Sequence, residues 1–198
     1  RILMALSDEG ALPEDYLLAF RTTLSQLNLK NKEYPVSAEQ LELAMEQKGI
    51  SKNDKIRYTY ILAQLYEESG QNNLALTKYK RVTRYNPTYE MAFNARVSMA
   101  EVFESGEAGS DDLKKLLRKM LKDSKNLEYK DQIYFALGNI SMEEGEREQA
   151  MDFYQLSVST SLQNQYQKGY SSLTLAELYY EDPDYILSAA YYDSAVTF

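Results

Sequence analysis

The residues of this chain whose pairing could serve acid–base chemistry are carboxylates. Glu67 with Glu68, Glu143 with Glu144, and Asp182 with Asp184 form close pairs in sequence, and two carboxyls held near one another can divide the work of general acid and general base. Little accompanies them. The chain has 198 residues with no histidine and no cysteine, which removes the commonest general base, the thiol nucleophile and most transition-metal sites. It contains no G-x-x-x-x-G-K-[ST], no G-x-G-x-x-G and no G-x-S-x-G, so it offers neither a phosphate cradle nor a nucleophile elbow. The acidic pairs lie at the ends and turns of amphipathic stretches, where carboxylates cap helices and solvate surfaces. The chain therefore reads as non-enzymatic, with no cofactor and no metal.

The elements that would position side chains are clearest in residues 56–89, IRYTYILAQLYEESGQNNLALTKYKRVTRYNPTY. Ala63 and Ala75 are small residues on two successive helices, which lets the axes approach at the close end of roughly 8–10 Å. Tyr66 and Tyr79 fill the space beside them with large rings. Gly70 can take the left-handed conformation that ends the first helix, and Pro87 stops the second. Leu62, Ala63, Tyr66, Ala75, Tyr79 and Pro87 stand at the spacing of the tetratricopeptide repeat (TPR), which the segment resembles. The resemblance implies an all-α fold, a right-handed superhelical solenoid of tandem helix-turn-helix units.

Taken as one array over residues 1–198, the chain divides into a degenerate opening pair (1–55), a repeat at 56–89, a repeat with a long loop (90–130), and repeats at 131–168 and 169–198. Ile2, Leu3 and Leu6 read as the end of a helix, followed by a loop carrying Asp8, Gly10 and Pro13. A helix from Glu14 to about Leu29 should bury Tyr16, Leu17, Phe20, Leu24 and Leu27. Ser37 is the expected cap of the next helix, with Gln40 completing a capping box and Gly49 past its end. In the second repeat Phe93, Val97 and Ala100 take the packing positions, Ser110 or Asp111 should cap the following helix, and Leu113, Leu116, Leu117, Met120 and Leu121 form its buried stripe. Lys114, Lys115, Arg118, Lys119 and Lys122 on that helix read as a solvated face, or else as a patch for an acidic partner. Tyr134, Leu137, Gly138, Gly145, Ala150, Tyr154 and Ser157 set the third repeat. Leu175, Ala176, Tyr179, Ser188, Tyr192 and Ala195 set the fourth, with Pro183 in place of the turn glycine. No capping helix follows, which suggests a fragment or a docking end.

The balance of 22 Lys+Arg against 30 Asp+Glu gives a formal charge of -8, the wrong sign for gripping phosphates, so nucleic acid is discounted. No apolar run approaches the roughly 18 residues that span a bilayer. The opening RILMALSDEG lacks the regions of a signal peptide. Any membrane attachment would need an anchor outside this chain.

In a TPR array, function is expected on the concave surface lined by the first helix of each unit. The positions that should face it are Arg57, Tyr60, Gln64 and Glu67; Met91, Asn94, Ser98 and Glu101; Gln132, Phe135, Asn139 and Met142; and Tyr170, Leu173, Glu177 and Tyr180. The two-carboxylate clamp of the TPR co-chaperones is absent, since its slots hold Tyr60, Gln64, Ala95, Gln132 and Ala136. What remains is a groove of amides, tyrosines, Phe and Met, suited to an extended segment or helix of a partner protein. Of the 18 tyrosines, the pairs Tyr179/Tyr180 and Tyr191/Tyr192 should each place one ring in the core and one outside it.

Three segments carry a closer resemblance: RYTYILAQLYEESGQ, NPTYEMAFNARVSMA, and the run from NLEYKDQIYFALGNI to AAYYDSAV. Together they resemble the TPR lipoproteins of Bacteroidetes associated with gliding motility and type IX secretion, the SprE/PorW-like family. That resemblance implies a periplasmic, lipid-anchored scaffold bridging secretion components, although the lipid-attachment cysteine is not in this chain. Two other readings are a glycan-binding surface module, against which the absence of Trp weighs, and an accessory domain of a larger enzyme.

Overall fold

A computed structural model describes residues 13–104 and 109–197. The expectations for Ile2, Leu3, Leu6, Asp8 and Gly10, and residues 105–108 of the long loop, lie outside these residues. The described residues form ten α-helices and one 3-10 helix. They belong to two compact units, 1–95 and 96–198.

The first unit opens with α1 (Glu14–Lys30), α2 (Tyr34–Met45), α3 (Lys52–Glu68) and α4 (Asn72–Arg84), and each packs on the next. Helix α3 starts earlier than the repeat pattern implies because Ser51 caps it, its side chain accepting the Asp54 N–H at 3.1 Å. Such a cap contributes about 1 kcal/mol. Gly70 ends α3 as expected, at φ +70°, with Gln71 N–H donating back to the Tyr66 carbonyl at 2.8 Å. Leu62, Ala63, Ala75 and Tyr79 are buried between α3 and α4.

The opening pair departs from its sequence reading. Tyr16 and Leu27 are exposed, and α1 instead buries Ser25 and Asn28. Ser37 does not cap α2. Pro35 in the first turn lets the helix begin at Tyr34, since proline gives up an N–H that has no helical partner there. Ser37 is thereby left inside the helix and fully buried, donating to the Ser25 carbonyl at 2.8 Å with the two hydroxyls 3.0 Å apart. Gln40 accepts from Arg21 at 2.7 Å instead of closing a capping box.

Helix α5 (Tyr89–Glu101) runs across the boundary, and Phe93 and Ala100 are buried. The second unit continues with α6 (Ser110–Leu121), a 3-10 turn (Ser124–Tyr129), α7 (Lys130–Glu143), α8 (Arg147–Thr160), α9 (Gln165–Glu181) and α10 (Tyr185–Val196). From α6 onward each α-helix packs on the next, and α9 also touches α7, as the first helices of successive hairpins should. Neither Ser110 nor Asp111 caps α6. The cap position is Gly109 at φ +110°, a conformation that glycine adopts without strain.

Lys114 also overturns its sequence reading. It is buried rather than solvated, and its ammonium pairs with Glu144 and, at 2.8 Å, with Glu146. In the last unit Tyr191 rather than Tyr192 joins the core, its ring stacked on Tyr179 at 5.5 Å, while Tyr180 and Tyr192 are exposed. No helix among the described residues is long and apolar enough to cross a membrane.

Candidate functional site

Four carboxylates of the three pairs have structural partners. Glu67 Oε2 accepts the Tyr79 hydroxyl at 2.6 Å. Glu144 holds Lys114, Asp182 holds Arg147 at 3.1 Å, and Asp184 caps α10 by accepting the Leu187 N–H at 3.1 Å. Burial raises the Glu67 carboxyl above its ordinary range, and Glu68 adds to the rise against the opposing Tyr79 hydrogen bond.

In the first unit the anticipated face is divided between bound and free groups. Tyr60 is half-buried, its ring edge-on to Tyr79 at 5.6 Å. Arg57 is exposed and lies over the Tyr58 ring at 5.6 Å. Gln64 and Asn94 are exposed and Met91 is half-buried.

The second unit gathers its residues more closely. Phe135 is buried, so it cannot serve as the surface contact that its position suggested. Its ring centroid lies 5.0 Å from that of Tyr154 and 5.0 Å from that of Tyr170, tilted to both. The ring therefore forms a floor. Tyr170 is 49% exposed above it, and Tyr166, 82% exposed, lies nearly parallel to Tyr170 with centroids 6.4 Å apart. Asn139 Oδ1 accepts the Tyr154 hydroxyl at 2.9 Å, which fixes the amide at the edge of the cluster. Met142 packs against the same core. Burial raises the Tyr170 hydroxyl above its ordinary value, and the charges of Glu101, Tyr166 and Glu177 reinforce it. Burial likewise raises Tyr154.

Other expected positions lie outside this cluster. Ser98 is half-buried and Leu173 is exposed. Tyr180 turns its ring edge-on to Tyr185 at 5.6 Å. Gln132 lines a separate cavity of ≈ 390 Å³ with Leu127, Asp131 and Leu162 at the end of the α7/α8 hairpin. Tyr166 was missed by counting, because it lies before the repeat's signature. Its i, i+4 relation to Tyr170 on one helix was the available signal.

Residues 131–164, most of the α7/α8 hairpin, match the sequence model of the tetratricopeptide repeat. The fold is that of a tetratricopeptide-repeat array. It is similar to a Rap protein solved in complex with competence and sporulation factor, at 15% identity and a TM-score of 0.68 over 96% of this chain and 56% of that one. The chain thus spans a little over half of the Rap chain. MamA from Desulfovibrio magneticus RS-1 is similar at 12% identity, with a TM-score of 0.59 over 91% of this chain and 94% of that one. PilF of Pseudomonas aeruginosa is similar at 16% identity, with a TM-score of 0.56 over 93% and 77% of the two chains. Comparison with curated protein sequences finds no match. In the tetratricopeptide frame, Tyr154 and Gly138 are packing positions and Tyr166, Tyr170 and Glu177 lie outside the signature.

Proposed function

We propose that this chain is a non-enzymatic interaction scaffold that binds a segment of a partner protein on the α5/α7/α9 face of its second unit. The observation that carries the reading is the exposed Tyr166/Tyr170 pair, anchored by the contact of Tyr170 with the buried ring of Phe135. Rigid aromatic surface on a packed floor loses little entropy on binding and supplies most of the energy of many interfaces. Asn139, held at the edge of the cluster by the Tyr154 hydroxyl, adds an amide group for a partner's backbone. A Rap protein of the same fold holds competence and sporulation factor, which supports binding as the use of such an array.

The resemblance to SprE/PorW-like lipoproteins extends the proposal to a periplasmic, lipid-anchored member of a secretion or gliding assembly. Fractionation of the source cells would test the location, and recovery in the cytosol would overturn it. The binding surface is tested by placing a photo-crosslinking residue at position 170 in cells, with Tyr166→Ala/Tyr170→Ala as the comparison for affinity of the partner identified. A loss of roughly tenfold or more at unchanged melting temperature is expected. Unchanged affinity would sink this surface.

A further inference from the structure

Helix α6 carries two sets of cations that the fold treats differently. Lys114, beside the buried Leu113 and Leu117, is 5% exposed and engaged by Glu144 and Glu146. Lys115, Lys119 and Lys122 are exposed, and among the described residues none has a carboxylate within ion-pair distance. Their i, i+4, i+7 spacing puts them on one side of the helix. Arg96 of α5 joins them. With Leu116, Met120 and Asp123 it lines, together with Lys119 and Lys122, a groove of ≈ 370 Å³. In this groove the one carboxylate has a local task, since Asp123 Oδ1 accepts the Lys125 N–H at 3.0 Å and caps the 3-10 turn, while on the adjoining face Asp111 and Asp112 in the first turn of α6 stand beside four cations, Lys115, Arg118, Lys119 and Lys122.

The clustering runs against the composition. With 30 acidic side chains to 22 basic ones, cations on this chain have an excess of acids to pair with, and Lys114 does so. Grouping the others on one face leaves mutual repulsion that a bound anion would relieve.

We propose that the Arg96/Lys119/Lys122 groove and the adjoining face of α6 form a docking site for an acidic polypeptide segment. Its Asp or Glu carboxylates bridge the three cations, and an apolar side chain rests on Leu116. The dimensions suit such a segment. From Lys115 to Lys122 the helix rises about 10 Å, the reach of about three extended residues. A polyanion duplex would gain few phosphate contacts here and would meet a chain of formal charge -8. The half-buried Leu116 offers nothing to phosphates but suits a leucine-sized neighbour. This site is independent of the Tyr166/Tyr170 surface.

Fluorescence anisotropy on the full chain tests it, using a labelled peptide of repeating Glu-Glu-Leu, with a labelled oligothymidylate of equal charge and phosphatidylserine vesicles as rival probes. Saturable peptide binding that weakens between about 50 and 200 mM salt is expected. Lys119→Glu/Lys122→Glu should weaken it at least about tenfold. Lys52→Glu/Lys55→Glu, which changes net charge equally at exposed positions of the first unit, should leave it nearly unchanged. Circular dichroism confirms that both variants fold. Absence of peptide binding, equal loss in both double variants, or tighter binding of the oligonucleotide or vesicles would each overturn the proposal.

Discussion

Gly138 on α7 lies directly against the ring of Tyr154 on α8. A Cβ built on Gly138 would meet Tyr154 Cε1, and would stand 2.7 Å from Cδ1 and 3.0 Å from Cζ. The ring has little room to retreat, being 3% exposed, tied through its hydroxyl to Asn139 and packed at a tilt against Phe135. Gly138→Ala gains about 1 kcal/mol of helix propensity but overpacks the hairpin at about 1–3 kcal/mol. Overpacking should dominate, giving a lower urea midpoint at unchanged m. The double variant Gly138→Ala/Tyr154→Leu should recover part of the loss. A Gly138→Ala protein as stable as the parent would show that the helices separate freely.

Lys114 gives a pH-dependent prediction. Its hydrogen bond holds the Glu144 carboxyl below the usual 4.5, against the opposing effect of burial. That contribution is therefore present above pH 4.5 and is lost as pH falls through the folded-state value. Burial alone would lower the Lys114 ammonium, but Glu144 and Glu146 together raise it above 10.5, so its share is lost only as pH rises past that value. Lys114→Met should cost about 1–2 kcal/mol at neutral pH, between the values for exposed and buried pairs, because both carboxylates keep access to water. The difference from the parent should shrink toward about pH 3. A gap constant across urea titrations from neutral to acid pH would refute this account.

Asp131 joins three helices from a fully buried position. Its Oδ2 accepts the Ser161 hydroxyl at 2.8 Å and its Oδ1 the Gln132 N–H at 2.9 Å, while its carbonyl accepts from Ser157 at 2.8 Å. Ser157 in turn lies 2.8 Å from the Ser171 hydroxyl of α9. Asp131→Ala strands the buried Ser161 hydroxyl and should cost about 1–3 kcal/mol, with Asp131→Asn, which keeps an acceptor, costing less. Equal losses from the two variants in chemical denaturation would assign the effect to packing instead of the hydrogen bond.

Hairpin identity was legible because it depends on neighbours in sequence. Leu62, Ala63, Gly70, Ala75 and Tyr79 have roles set by helical period, ring size and backbone conformation, and each is found in its role. Caps were less legible. Ser37 has the chemistry of a cap, but Pro35 started the helix earlier and buried the hydroxyl against Ser25. The candidate surface was legible as a set of positions and not as an arrangement. Position alone could not tell that Phe135 lies under Tyr170 while Gln132 lines another cavity.

By itself, the order of residues determined that this is an all-helical array of hairpins without the side chains for histidine or thiol catalysis, since period, turn residues and composition are local properties. Only the tertiary structure decided which charges are spent and which remain. Lys114 and Lys115 are adjacent in sequence and chemically alike, yet one is buried between two carboxylates and the other faces solvent. The choice depends on the acids that the α7/α8 turn brings to α6, a relation between segments some thirty residues apart.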